Sequence, residues 1–184
     1  MKKSTSNIGS RLRQRRNELG WSLDRAAANT GVSKAMLGQI ERGESSPTVG
    51  TLWKIVSGFK VSFSSLLEEG QDAARTAMFS ADKRNLIADD DGIAAYTLIP
   101  FDPLMNFELM VVSLAANSTH VSTPHARGVV EHVIPLTAPV EIWVGGEWVN
   151  VAVDQVFRFS ADQPHSYRNP NNEQVTFHNL IRYP

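Results

Sequence analysis

The stretch LDRAAANTGVSKAMLGQIER, residues 23–42, decides the reading of the N-terminal part of the chain. It falls into two short segments around Gly31. Ala27 is small enough to let a second helix cross close against the first. Gly31 stands where a residue with positive φ ends a helix without a Cβ penalty. Ser33 has the side chain of an N-cap for the next helix. Met36, Leu37 and Ile40 then follow at helical spacing. Leu37 and Ile40 are expected to pack inward, which leaves Lys34, Ala35, Met36 and Gln39 outward. The pattern is a helix-turn-helix. Two such helices bury little by themselves, so helices are expected on both sides.

The flanks supply them. Residues 7–19 read as a helix with Ile8, Leu12, Arg15 or Arg16, and Leu19 along one face, arginines solvated elsewhere, and Gly20 at its end. GESSPT (43–48) is a turn closed by a Thr48 cap. Residues 49–58 place Val49, Leu52, Trp53 and Val56 at helical spacing, in the core. Ser62 or Ser64 caps a short fifth helix ending near Leu67. Residues 1–68 are thus expected to form a small all-α domain of five helices. Residues 69–85 are polar and read as a linker, in which Met78 and Phe79 are expected to dock on the C-terminal domain. Charge divides along the same line. Residues 1–70 hold eleven Lys and Arg against six Asp and Glu, and residues 71–184 hold seven against thirteen. A positive field over the first part attracts phosphate, and the second part is too acidic to bind DNA itself.

The segment GVSKAMLGQIERGESSPTVGTLWKI (31–55) resembles the XRE-type, phage repressor/Cro-like DNA-binding domain, over about residues 7–68. In that lambda-repressor-like family the start of the third helix enters the major groove. The resemblance therefore implies Lys34, Ala35, Met36 and Gln39 as base-edge readers. Lys donates to guanine O6/N7, Gln pairs with adenine, and Ala or Met touches a thymine methyl. It implies Ser22, Ser33, Arg42, Ser45 and Ser46 as phosphate-side contacts, which position without specifying. Many members carry Gln at the second residue of the preceding helix. Leu23 stands there, so that contact is not carried over.

After residue 86 the hydrophobic period changes to alternation. AAYTLIPF, NFELMVVSLAA, EHVIPL, VEIWVGG, WVNVAV, QVFRFSA and QVTFHNLIRY are strand-like runs, and GGE (145–147) is a hairpin turn. Seven or more short antiparallel strands imply a sandwich or barrel. NSTHVSTPHARGVVEHVIPL (117–136) and VAVDQVFRFSADQPHSYRN (151–169) then resemble the two motifs of the cupin, a double-stranded β-helix or jelly-roll barrel. Carried over residue by residue, His125, Glu131 and His165 match the family's metal ligands, with Pro164 and Asn169 also in pattern. Thr123 replaces a further His, and Ala138 and Val153 replace glycines. Two histidines and a carboxylate suit a divalent Zn, Fe, Mn or Ni ion with open positions. A barrel with a metal and one without both stay open. Tyr167 should share the inward face with His165. Tyr167, Arg168, His120 and His178 are candidate effector contacts, with structural hydrogen bonding the equal alternative for Tyr167 and Arg168, and Trp143 and Trp148 are read as barrel core and hairpin packing.

The chain has no cysteine, which excludes disulfides, Cys-ligated zinc and thiol catalysis and fits a reducing cytoplasm. No stretch is long enough for a membrane helix, and no apolar run succeeds the basic start. An XRE domain (1–68), a linker (69–85) and a cupin (86–184) together resemble a group of bacterial transcription regulators. More closely, they resemble members described as regulators of sulfur-utilisation genes. The resemblance implies a cytoplasmic, DNA-binding homodimer without catalytic residues. Its two recognition helices would lie about 34 Å apart on a near-palindromic operator. Its cupin would sense a small effector, such as a sulfur-containing amino acid or related metabolite. A helix-turn-helix joined to a cupin also occurs in mononuclear iron epoxidases, which is the enzyme alternative. A cupin serving only as a dimerisation scaffold is the other.

Overall fold

The computed structural model describes residues 5–67, 77–80 and 86–184. Four α-helices come first: α1 (Thr5–Glu18), α2 (Leu23–Thr30), α3 (Lys34–Glu41) and α4 (Val49–Phe59). Local chemistry sets their ends. Ser22, Ser33 and Thr48 each cap a helix by accepting from the N–H three residues on. Gly31 closes α2 at φ 67°. Leu12, Leu37, Ile40, Leu52 and Ile55 are fully buried between the helices. The small residue buried on α2 is Ala26, while Ala27 packs at its edge, so the close approach falls one position earlier than the spacing predicts. The α2–α4 crossing is tight because of Gly58. A Cβ there would lie 2.6 Å from the Asn29 carbonyl oxygen. Arg16 is not part of a solvated face. Its guanidinium makes a bidentate pair with Glu41 at 2.6 and 2.9 Å and donates to the Trp21 carbonyl, tying α1 to α3. Leu19, by contrast, is exposed.

The expected fifth helix is a single 3-10 turn, Ser64–Leu66, and neither Ser62 nor Ser64 caps it. The N–H groups of Phe63 and Ser64 instead donate to the two oxygens of Glu108, each at 2.8 Å, and Ser64 Oγ accepts from the Phe101 N–H. A turn whose donors are taken by another domain has no need to lengthen.

Ten strands complete the chain: β1 (Ile87–Ala88), β2 (Ile93–Asp102), β3 (Phe107–Leu114), β4 (Thr119–Ser122), β5 (Val130–Pro135), β6 (Val140–Val144), β7 (Glu147–Val151), β8 (Phe157–Ser160), β9 (His165–Arg168) and β10 (Val175–Arg182). They form two antiparallel sheets, ordered β1-β2-β3-β10-β5-β8 and β4-β9-β6-β7. This is a two-sheet jelly roll of the cupin kind. Alternation puts Met110, Val112, Val133, Ile142, Phe177 and Ile181 in its core. The β6–β7 hairpin turns at Gly145 and Gly146, both at positive φ. Trp143 and Trp148 do not enter the core. They lie on the outer side of that hairpin, and Trp148 packs under the Arg168 guanidinium, 4.1 Å from its ring centre.

The helical part sits on the mouth of the barrel. Asp89, just after β1, accepts from the N–H groups of Val49 (2.5 Å) and Gly50 (3.3 Å) at the start of α4. With Thr48 serving Thr51 and Leu52, all four opening donors of α4 have acceptors. A carboxylate at this end also complements the helix dipole. Trp53 extends from α4 onto the His125 ring, with centres 3.9 Å apart, and also touches Phe63. The docking expected of Met78 and Phe79 is not seen. Met78 is 95% exposed and Phe79 40%. The rest of the linker falls largely outside the described residues.

Candidate DNA-binding face and barrel site

Lys34, Ala35, Met36 and Gln39 are all exposed on α3, while Leu37 and Ile40 hold that helix to the core. The caps Ser22 and Ser33 lie at the exposed starts of α2 and α3, where helix N–H groups favour anions. Ser46 is exposed, and Ser45 is half-buried with its hydroxyl 3.8 Å from Met36 Sδ. Two of the expected cations are already engaged. Lys34 pairs with Asp24 at 2.8 Å, and Arg42 forks onto Glu44 at 2.7 Å. Both pairs are exposed, where water screens the attraction, so phosphate can replace either carboxylate.

The second group lies inside the barrel. His125 comes after β4, held by its N–H to the Ala161 carbonyl; Glu131 is on β5 and His165 begins β9. Their ligand atoms all lie within 4.8 Å of one another, and all three side chains are buried. Glu131 is the hub. It accepts from His125 Nε2 at 2.7 Å, from Asn179 Nδ2 at 2.9 Å and from the Tyr167 hydroxyl. Burial pushes its carboxyl up, but the His125 hydrogen bond, the charges of His125 and His165 and the Tyr167 hydroxyl outweigh that and hold it at about 2. Burial holds His165 below its usual value. Its Nδ1 lies 2.9 Å from the Gln163 carbonyl, which needs a proton there and leaves the lone pair on Nε2. That Nε2 is buried without a hydrogen-bond partner among the described residues, 3.9 Å from Glu131 Oε1. A neutral imidazole, fixed through its other nitrogen and aimed at a carboxylate, is the protonation state a metal ligand requires. The donor set therefore fits a divalent ion.

The four expected effector contacts divide by strand parity. Tyr167 faces inward onto Glu131. His120 also faces inward, but its Nδ1 is taken by Asp91 at 2.6 Å. The other two face the opposite way. Arg168 points out and pairs with Glu141, at 2.6 Å from Nε. His178 points out because its neighbours Phe177 and Asn179 occupy the inward positions of β10. Asn169 plays a structural part, since its amide donates to the Leu114, Ala115 and Glu173 carbonyls. Asn179, Glu108, Asp89 and Trp53 are functional neighbours that sequence reasoning missed. Only Trp53 carried a signal there, as an apolar residue at helical spacing. A cavity of about 20 Å³ lies beside His120, Glu131 and Tyr167, with Val49 and Trp53 also in its lining. That is room for about one water molecule.

An exposed recognition helix on a capped helical core, seated on a jelly roll, defines a class. The chain belongs to the helix-turn-helix transcriptional regulators of the XRE family, and its second domain is a β-rich jelly roll that resembles a cupin. The helix-turn-helix family model, HTH_3, matches residues 12–66. The chain is 42% identical to the HTH-type transcriptional regulator SutR of Escherichia coli K12 over 177 residues, which is 96% of this chain and 95% of that one. Among solved structures it is similar to an HTH_3-family transcriptional regulator from Vibrio cholerae, with a TM-score of 0.81, 35% identity and coverage of 98% and 97%. It also resembles Fe(II)-HppE crystallised with an alternative substrate, over the full length of both chains, with a TM-score of 0.51. At 14% identity that likeness is one of fold alone.

Proposed function

We propose that the chain is a sequence-specific DNA-binding regulator whose cupin binds a small effector. The observation that carries this reading is the outer face of α3, where Lys34, Ala35, Met36 and Gln39 stand exposed on a helix anchored by buried Leu37 and Ile40. It is supported by the full-length similarity to named regulators. In this reading residues 1–68 bind DNA, 69–85 link, and 86–184 sense and dimerise in the cytoplasm. Lys34 and Gln39 read base edges, and Ser22, Ser33, Arg42, Ser45 and Ser46 contact phosphates. Two chains in a homodimer would bind a near-palindrome, with recognition helices about 34 Å apart. His125, Glu131 and His165 would hold the divalent ion, while Tyr167 and Asn179 fix the Glu131 carboxylate. Such an ion would supply a Lewis-acidic point for an anionic or sulfur-bearing effector, and a sulfur-containing amino acid or related compound is the expected class.

The test begins by selecting an operator from random DNA with the full chain. Lys34→Ala or Gln39→Ala should weaken operator binding at least tenfold more than binding to unrelated DNA. Equal loss on both would refute the base-reading assignment. Native mass spectrometry with elemental analysis should give a dimer with one ion per chain, lost in the double variant His125→Ala/His165→Ala.

The two-His, one-carboxylate set favours one further reading, an iron enzyme. The 42% identity to a named transcriptional regulator over 96% of this chain argues against it. Substrate-dependent oxygen consumption by the Fe(II)-loaded protein would reverse that judgement.

A further inference from the structure

A much larger space lies at the barrel mouth. A cavity of about 570 Å³ opens between α4 and the barrel mouth. Its helical wall carries Trp53, Val56 and Lys60, and its barrel wall carries Phe101, His125 and Arg127. The volume falls in the range of small-molecule sites, and the lining is mostly apolar, as in such sites. Two cations stand out against it. Lys60 ends α4, Arg127 lies on the loop between β4 and β5, and neither has an ion pair or side-chain hydrogen bond among the described residues. The floor is the stacked Trp53 and His125 pair, and the His125 Nδ1 is buried without a hydrogen-bond partner among the described residues.

We infer that this interdomain cavity is the effector site and that it takes a small organic anion, an apolar body bearing one carboxylate or sulfonate. The acid group lies between Lys60 and Arg127, and the apolar body lies against Trp53, Val56 and Phe101. This rests on the regulator reading and locates its effector. One wall belongs to each domain, so a ligand can bind well only while the domains hold this arrangement. Binding therefore stabilises the docked heads, which is the differential affinity that coupling to DNA requires. α4 transmits it, because Gly58 brings α4 against α2 and Phe59 packs on Trp21. The head thus moves as one piece with α3.

The probe is 1-anilinonaphthalene-8-sulfonate, an apolar body with one sulfonate, titrated into the full-length dimer. N-phenyl-1-naphthylamine serves as its uncharged counterpart. One saturable site per chain is expected for the sulfonate. Arg127→Ala and Lys60→Asn should each weaken it about tenfold, as loss of a charge-assisted bond predicts, and leave the uncharged dye unchanged. Asn is chosen because Lys60 sits at φ 55°, a conformation Asn tolerates. Val56→Trp, which fills the cavity, should abolish binding of both dyes. Both cation variants are expected to keep the parent circular dichroism and melting temperature, so a lost fold is recognisable. Sulfonate binding indifferent to both cations, or surviving Val56→Trp, overturns the site. Operator binding is measured on the same preparations. If it is intact while the dye results are negative, the regulator reading stands and only the site is wrong; if no operator is ever selected, the regulator reading itself fails.

Discussion

Two glutamates of the barrel, Glu108 and Glu131, look alike until their partners are compared. Both are fully buried, both hold a tyrosine hydroxyl (Tyr183 and Tyr167), and both accept two further hydrogen bonds. Their acidities nevertheless move in opposite directions. Burial raises Glu108, and its neutral partners, the Ser64 and Phe63 N–H groups and the Tyr183 hydroxyl, do not overcome it. Glu131 accepts a hydrogen bond from His125 and lies beside His165, and these partners carry it down to about 2. The difference is one of employment. Glu108 uses its oxygens on backbone donors of the helical domain and fastens the two domains. Glu131 keeps an approach open toward the unpartnered His165 Nε2 and is ready for a cation.

Removing each carboxylate should break the comparison most sharply. Glu131→Ala leaves His125, Tyr167 and Asn179 unpaired in the core and should cost about 3–5 kcal/mol, read by urea unfolding of the barrel. It should also abolish retention of any divalent ion. Glu108→Ala strands two N–H groups and a hydroxyl and should cost somewhat less, about 2–3 kcal/mol. Its effect should appear as the helical domain melting ahead of the barrel, with ion content unchanged. A uniform loss in both domains would show that Glu108 serves the barrel alone. The smallest contrast is between the tyrosines. Tyr167→Phe and Tyr183→Phe should each cost about 1 kcal/mol, but only Tyr167→Phe should alter ion affinity.

How much the sequence conveyed depends on the range of the interactions. α3, its Ser33 cap and its outward residues are local, and periodicity locates them. His125, Glu131 and His165 were legible only because two family motifs bring them forward. Contacts between distant segments left no local trace. Asp89 reaches Val49 across 40 residues and Glu108 reaches Phe63 across 45, and nothing near either carboxylate marks it as a cap. Helical spacing showed that Trp53 would be buried but not that half of its environment belongs to the other domain. The faces of Arg168 and His178 were not legible because the face of a strand residue depends on register, which the Cα pairing supplies and composition does not.

The two carboxylates on the helix starts also limit portability. A head moved onto another relative's barrel would arrive with the donors of Val49, Gly50, Phe63 and Ser64 exposed to whatever the new barrel offers. Chimeras between such regulators should therefore work when the recipient carries acids at the positions of Asp89 and Glu108, whatever its overall similarity. Transplanting those two residues with the head is the smallest graft that keeps the joint intact.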